Sequence, residues 1–299
     1  METSAEGAAK KAMLVLEVPG HPKEVECPEL SDARLASRDA LLDALTLPYP
    51  HYLPMQFEFE QSELYARQCY TICYARIMHL FDVGTCGQQM RHVTVTGTPG
   101  NGKSVFLAYC FLRYRLEHPD ARIIVLSYNR QSKLKRRFVW IDGQGYEIPS
   151  SIALLNDEKT ITLIDGPPDV EPNSCRWICF TSPNKTWEAT MHKDTFHSRL
   201  FHPLWDYEEL YAAACVLNLM EQLEPVEEEE RQLYGFEPNV NPEVNEVDAI
   251  KVRTIIFGFV ARVCLYPGIP YEAFESLLEA INSMKSADLE PVLVLEEIA

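Results

Sequence analysis

Eight consecutive residues, 97–104, have the composition and spacing of a loop that binds phosphate groups. They read Gly-Thr-Pro-Gly-Asn-Gly-Lys-Ser and fit the pattern G-x-x-x-x-G-K-[ST]. The glycines allow backbone conformations in which successive N–H groups point at phosphate oxygens. Lys103 supplies a positive charge for the β- and γ-phosphates, and Ser104 supplies a hydroxyl for a magnesium ion. The sequence therefore predicts that a nucleoside triphosphate with magnesium is bound by a loop of eight residues, Gly97, Thr98, Pro99, Gly100, Asn101, Gly102, Lys103 and Ser104, of which Ser104 contacts the metal.

A carboxylate, Asp165, follows an apolar run. Ile161-Thr162-Leu163-Ile164 is typical of a buried strand, and a turn follows at Gly166-Pro167-Pro168. In P-loop NTPases a strand that ends in a carboxylate helps to hold the metal, so Asp165 and Ser104 are the predicted magnesium ligands. Asp165 and Lys103 are also predicted catalytic residues. The alternative for Asp165 is a surface aspartate that opens a turn.

Gly166 weakens the prediction of catalysis. In many ATPases of the additional-strand type, a glutamate directly follows this aspartate and polarises the attacking water. Glycine has no side chain that acts as a base, and nothing in the sequence places the nearby Asp169. The sequence therefore supports nucleotide binding better than nucleotide hydrolysis.

Two further side chains are candidates for the catalytic set. Asn184 follows the apolar run Trp177–Phe180, and a polar group at such a strand end is suited to sensing the γ-phosphate. Ser182 is a second candidate for that role, and a plain turn explains both residues. Arg262 is a candidate for neutralising charge that develops in the transition state. A solvated or ion-paired surface arginine is the alternative.

The elements around these residues predict an α/β fold. The strand pattern Val93–Thr96 precedes the glycine-rich loop, and a helical pattern follows Ser104 and stops before Pro119. A further buried-strand pattern, Ile123–Leu126, comes next, and residues 138–148 have the pattern of a hairpin. We expect the fold of a P-loop NTPase, a mainly parallel sheet sandwiched by helices and followed by a small helical lid domain.

The order of these patterns predicts four regions. Prolines interrupt the first region, a helix from Ser62 to Phe81 opens the second, and the capping pair Asp206 and Glu209 begins a helix through Met220. The regions are an irregular N-terminal extension (1–60), a nucleotide-binding core (61–220), an acidic linker (221–248), and a helical lid with a C-terminal tail (249–299).

Composition narrows the choice of partners. The net charge of −17 argues against a general binder of polyanions. Nucleic acid is therefore a possible partner only through the local basic patch of Arg130, Lys133, Lys135, Arg136 and Arg137, for which a solvated loop is the alternative. The nine cysteines lack a paired framework and indicate reduced thiols of an intracellular protein. No apolar stretch is long enough for a membrane span, and Glu17 interrupts the only candidate signal segment.

Four stretches carry a resemblance to a known family. They are Tyr65–Tyr70, Val95–Phe106, Pro203–Leu204–Trp205 with Glu208–Glu209–Leu210, and Phe257–Arg262. Together they resemble the P-loop NTPase module of the Crinkler effectors of oomycetes and fungi and of the retrotransposon hot spot (RHS) proteins of trypanosomes. The resemblance implies an ATPase core of the AAA+ or STAND-like kind with a helical lid, in which Arg262 reaches the γ-phosphate. Phe259 stands where the family has a second glycine. Family members often carry an N-terminal ubiquitin-like translocation domain or a C-terminal nuclease domain, and we expect neither here.

The leading hypothesis is a magnesium-dependent module that binds and hydrolyses ATP. Its nucleotide state would control the lid, and through the lid an unknown protein partner or a homo-oligomer. A nucleotide-gated interaction module without turnover is one alternative. A small-molecule kinase, which also uses a phosphate-binding loop, is the other.

Overall fold

The computed structural model describes residues 22–84, 89–150, 157–172, 176–223 and 249–267. The chain divides after Leu204 into two compact units. Within the described residues no helix has both the length and the apolar character needed to cross a membrane. Residues 224–248, most of the predicted acidic linker, and the tail from residue 268 lie outside the described residues.

The first unit is built around an eight-stranded mixed sheet with the order β1-β7-β6-β5-β8-β9-β4-β10. The five strands from β5 to β10 in this order are parallel, and β1, β7 and β6 extend the sheet through antiparallel pairs. The strand bounds are β1 Lys23–Val25, β2 Thr46–Pro48, β3 Glu63–Tyr65, β4 His92–Thr96, β5 Arg122–Tyr128, β6 Leu134–Ile141, β7 Gln144–Glu147, β8 Thr160–Asp165, β9 Trp177–Thr181 and β10 His197–Phe201.

Apolar side chains cover both faces of the sheet, which is why helices flank it on both sides. Along β5, Ile123 and Val125 contribute to one core cluster, and Ile124 and Leu126 to another. The first cluster contains residues of α2 and α3, and the second contains Trp187 of α4. The helix bounds in this unit are α1 Arg38–Asp43, α2 Gln68–Asp82, α3 Lys103–Glu117 and α4 Lys185–Met191. The expected α/β architecture with a mostly parallel sheet is therefore confirmed.

The hairpin predicted over residues 138–148 is present as β6 and β7. Ile141 pairs with Gln144, and the two residues between them, Asp142 and Gly143, have φ angles of 51° and 77°. Positive φ at both central positions is the requirement of the tight turn that matches strand twist, and Asp-Gly is among its preferred sequences.

Residues 22–60, whose prolines indicate an irregular extension, carry short elements that belong to the core. Leu41 of α1, Leu47 of β2 and the neighbouring Leu53 are almost completely buried. The side chain of Arg115 on α3 also forms a buried 2.7 Å ion pair with Glu29. This segment is thus an integral part of the first unit, because long-range burial holds it where local propensity is weak.

The helix expected from Ser62 begins later, at Gln68. Residues Glu63–Tyr65 instead form β3, which pairs antiparallel with β2 and places Leu64 opposite Leu47. Both leucines are fully buried, so tertiary packing overrides the helical spacing of the apolar residues here.

The second unit is helical in its described parts. Helix α5 (Tyr207–Val216) begins as predicted, with Oδ1 of Asp206 accepting the N–H of Glu209. It ends before the predicted Met220, and Asn218 there has a φ of 54°. The described part of the predicted helical lid contains α6 (Ala249–Phe257) and α7 (Ala261–Cys264), and Gly258, with a φ of 66°, lies between them.

Candidate functional site

The glycine-rich loop lies between the C-terminal end of β4 and the N-terminus of α3. Gly100 and Gly102 have φ angles of 79° and 93°, a region that other residues rarely adopt. The chain therefore turns sharply into α3, whose first N–H groups have no acceptor within the helix. A helix N-terminus of this kind, with its positive dipole end, is suited to binding an anion such as phosphate.

Close packing at Gly97 fixes the start of the loop. A Cβ at this position would lie 2.9 Å from Nδ2 of Asn101 and 3.1 Å from the carbonyl oxygen of His202, which follows β10. Asn101 is itself buried, and its Nδ2 donates to the His202 carbonyl at 3.4 Å. His202, the residue that follows β10, therefore packs against the start of the loop.

Lys103 is buried and lies within the curve of the loop. Its ammonium donates to the carbonyl oxygens of Gly97 and Thr98 at 2.7 and 2.8 Å, and to Oδ1 of Asn101 at 3.2 Å. The positive charge of Lys103 therefore lies inside the turn of the loop. Thr98 and Pro99 are exposed at the tip, so the loop is open to a ligand from outside.

The hydroxyl of Ser104 donates a 2.9 Å hydrogen bond to Oδ1 of Asp165. Ser104 lies in the first turn of α3, and Asp165 is the last residue of β8, separated from β4 by β9. Parallel strands bring their carboxyl ends to one edge, which is how two residues so distant in sequence meet. A hydroxyl and a carboxylate in contact are hard oxygen donors of the kind that Mg²⁺ prefers.

The Asp165 carboxylate is buried and influences the groups around it. Burial, and then the negative charge of Asp165, raise the pKa of the Cys179 thiol on β9 and of the Tyr49 hydroxyl. An anion in such surroundings needs hydrogen-bond donors or a cation to offset its desolvation. In this structure the Ser104 hydroxyl and the backbone N–H of Gln56 supply such donors.

Gln56 contributes to this site although its sequence context gave no signal. Its backbone N–H donates to Oδ2 of Asp165 at 2.6 Å. Gly166 has a φ of 87°, and a Cβ there would lie 3.1 Å from Nε2 of Gln56 and 3.1 Å from the carbonyl oxygen of Tyr128. A side chain at position 166 would therefore be strained by the backbone conformation and crowded by Gln56 and Tyr128.

Two buried residues of the segment before the first parallel strand support the loop. Tyr70 on α2 donates its hydroxyl to the carbonyl oxygen of Gly102 at 3.3 Å. The guanidinium of Arg67, at the N-cap of α2, donates to the carbonyl oxygens of Pro203 and Leu204 at 3.1 and 2.9 Å. One helix end therefore connects the loop with the last residues of the first unit.

The remaining predicted residues have separate positions. Asn184 is the N-cap of α4, and its Oδ1 accepts the N–H of Trp187 at 2.9 Å. Thr181, which ends β9 and pairs in register with Thr96, is the buried polar residue at that strand end. Arg262 is exposed on α7 in the second unit. The roles of Asn184 and Arg262 at a nucleotide stay predictions.

The basic patch lies largely on strand β6 rather than in a loop, and its two arginines on β6 have partners within the chain. Arg136 pairs with Glu147 on β7 at 3.1 Å. Arg137 donates to the carbonyl oxygens of Pro149 and Ser150 at 3.2 and 2.9 Å. The two arginines thus link β6 to β7 and to the residues that follow β7.

A second polar cluster lies at the opposite end of β4. Nδ1 of His92 is 2.5 Å from Oδ2 of Asp194 and 3.4 Å from Oε1 of Glu171, and the His92 ring stacks on Trp177. Two ligands of a tetrahedral zinc ion lie about 3.3 Å apart, given bonds of about 2.0–2.1 Å. The His92–Asp194 separation is therefore that of a hydrogen bond, which fastens β4 to the chain before β10.

No protein-family model matches the chain, and the search of curated proteins finds no match. The functional interpretation therefore depends on the chemistry of the loop, of Ser104 and of Asp165.

Proposed function

We propose that this protein is a magnesium-dependent module that binds and hydrolyses ATP, with a core of the P-loop NTPase type. One observation carries the proposal. The loop serine and the strand carboxylate, Ser104 and Asp165, are joined by a 2.9 Å hydrogen bond, and the residue before the serine, Lys103, is buried. The sequence motif predicts the loop, but it does not predict that a distant carboxylate lies next to the loop serine.

Each group has a distinct role in this proposal. The backbone N–H groups of the loop and the first turn of α3 bind the phosphate oxygens, and Lys103 exchanges its carbonyl partners for the β- and γ-phosphates. Ser104 and Asp165 are the residues that would hold Mg²⁺, and their oxygens suit that ion. When bound, magnesium neutralises charge on the phosphate oxygens.

Two features support kinship with the Crinkler and RHS module. In the sheet, β9 lies between β4, the strand before the loop, and β8, the strand that ends in Asp165. An extra strand at this position is the feature from which the additional-strand ATPases take their name. Two of the stretches that carry the resemblance, Tyr65–Tyr70 and the loop, are also in contact through Tyr70 and Gly102. We propose on this basis that the nucleotide is ATP, and that Arg262 belongs to a lid whose position follows the nucleotide and controls a protein partner or homo-oligomer.

A nucleotide-gated interaction module without turnover is the second candidate. The conformation of Gly166 and the crowding around it favour this alternative, since a glutamate at that position would be both strained and crowded. Both candidates require magnesium-dependent ATP binding, and they differ only in phosphate release.

Binding and hydrolysis measured on the same protein test the proposal. Calorimetry with ATP, with magnesium present or chelated, is compared between the wild type and Lys103→Ala, and phosphate release is followed in parallel. The proposal predicts that the substitution lowers ATP affinity by about 100-fold or more, close to 3 kcal/mol, because a point charge on the phosphates is lost. Lys159→Ala, at an exposed position just before β8, is the control. Magnesium-dependent binding without phosphate release would favour the gated module, and no binding by the wild type would overturn both.

A further inference from the structure

Gln56 occupies the side of the Asp165 carboxylate that Ser104 does not contact. Ser104 donates to Oδ1, and the backbone N–H of Gln56 donates to Oδ2 at 2.6 Å. The two residues come from different segments of the first unit, yet they share one carboxylate. Gln56 is therefore in direct contact with the carboxylate that is a predicted magnesium ligand.

The side chain of Gln56 lies where the missing glutamate would project. A Cβ built on Gly166 would meet Nε2 of Gln56 at 3.1 Å and its Cδ at 3.4 Å. A carboxamide from the N-terminal segment thus lies against the face of residue 166 from which a side chain would extend. The polar group that position 166 lacks is supplied from elsewhere in the chain.

Several contacts hold this segment in place. The preceding residue, Met55, is buried in the main core cluster, as is Leu53. The ammonium of Lys135 on β6 lies 3.5 Å from the carbonyl oxygens of both Met55 and Gln56, at the outer limit of a hydrogen bond. Because these contacts and the hydrogen bond to Asp165 hold the backbone of Gln56, its side chain extends from a fixed position.

The chemistry suits a neutral amide. A glutamate beside the buried Asp165 would add a second negative charge at low dielectric, whereas a carboxamide both donates and accepts hydrogen bonds without charge. Glutamine orients the attacking water in GTPases, where no strong base is needed because the transition state is loose.

We propose that Gln56 orients the water that attacks the γ-phosphate, an inference that rests on the proposed ATPase function. Oε1 of Gln56 accepts a hydrogen bond from the water, whose oxygen forms the new bond to phosphorus. The bond from phosphorus to the β–γ bridging oxygen breaks, ADP leaves with that electron pair, and the proton of the water ends on the released phosphate.

Single-turnover hydrolysis by Gln56→Ala, together with its affinity for Mg·ATP, tests this role. The backbone N–H on Asp165 remains in the variant, so the affinity is expected to change by less than about threefold. The hydrolysis rate is expected to fall by about 100-fold, the lower range for loss of a group that manages a proton or water in the transition state. Gln61→Ala, in the same segment, is the control. Gln56→Asn keeps a carboxamide on a shorter side chain. If Gln56→Ala loosens the segment, the hydrolysis rate and the Mg·ATP affinity of Gln56→Asn test the role instead.

The outcomes separate this inference from the proposed function. An unchanged hydrolysis rate in Gln56→Ala would overturn the role of Gln56 and leave the ATPase proposal standing. Loss of Mg·ATP affinity equal to the loss of rate would assign Gln56 to binding and overturn its role in orienting water. A wild type that binds ATP without hydrolysis would also overturn it, and a wild type that does not bind ATP would overturn the proposed function itself.

Discussion

The Ser104 hydroxyl and the Asp165 carboxylate, 61 residues apart in the chain, meet at a distance of 2.9 Å. The contact depends on the strand order, because β8 and β4 are separated by one strand and their carboxyl ends face the same edge. One side chain from α3 and one from β8 are then enough to form the contact. The geometry places one buried carboxylate next to the first turn of α3, with its oxygens beside the hydroxyl of Ser104.

Asp165→Asn tests whether this charge holds the metal. The amide has nearly the same shape but no charge, so we expect the magnesium-dependent part of the ATP affinity to fall about tenfold or more, or at least about 1.4 kcal/mol. ATP binding with magnesium chelated should change little. Calorimetry in the two conditions measures both quantities, and Asp169→Asn, exposed in the following turn, is the control. An equal loss with and without magnesium would contradict the assignment.

Arg67→Met tests the support of the loop by α2. The buried guanidinium donates to the carbonyl oxygens of Pro203 and Leu204, and methionine fills similar space without a donor. We expect a loss of about 3 kcal/mol in the free energy of unfolding, because two hydrogen bonds donated by a buried charged group are removed. Urea denaturation measures this loss. Arg76→Met, at an exposed position of the same helix, should cost well under half as much, and equal costs would show that Arg67 acts through general packing only.

The parts of the fold that the sequence predicted are those with local patterns. The loop follows from glycine, lysine and serine at fixed spacing, and α3 follows from its apolar face. The hairpin of β6 and β7 follows from Asp142-Gly143, whose backbone preference is independent of the rest of the chain. The buried strands β5, β8 and β9 are continuous apolar runs, as parallel strands covered on both faces require.

The parts that the sequence missed depend on contacts between distant residues. Strand β10 is an edge strand with a mixed sequence, and only its pairing with β4 makes it a strand. Gln56 lies in a proline-rich stretch with no periodic pattern, and Asp165, which gives it a role, is 109 residues away. Arg67 is similar, since its acceptors are the carbonyls of Pro203 and Leu204. No local propensity contains this information, whereas the packed structure does.

Gly166→Ala and Gly143→Ala form a matched pair that separates strain from crowding. Both glycines have positive φ, 87° and 77°, and a Cβ at Gly143 would have nothing within 4 Å. A Cβ at Gly166 would meet Gln56 and the backbone carbonyl of Tyr128, each at 3.1 Å. We expect a loss of about 1 kcal/mol in the free energy of unfolding for Gly143→Ala from conformation alone. Gly166→Ala should cost about 1–3 kcal/mol more, from the crowding. Equal losses in urea denaturation would mean that the surroundings of Gly166 yield readily.

His202 makes the stability of the first unit dependent on pH. Burial, and then the positive charges of Arg67 and Lys103, lower the pKa of His202 from its ordinary 6.5 to about 3. Between these values the unfolded chain binds the proton and the folded chain does not, so the contribution is fully present above pH 6.5 and is lost as the pH falls. At pH 5 the loss is about 2 kcal/mol.

His202→Phe should remove this dependence. The phenyl ring can take the place of the imidazole beside Tyr70 and Phe106, and it binds no proton in either state. We expect the wild type to lose about 2 kcal/mol more than the variant in the free energy of unfolding between pH 7.5 and pH 5, as measured by urea denaturation. His79→Gln, at an exposed position of α2, removes a histidine without touching the buried ring and is the control. Parallel curves for wild type and His202→Phe would show that the buried ring accepts a proton in the folded state with a pKa near 6.5, because only then does the histidine add nothing to the pH dependence of the free energy of unfolding.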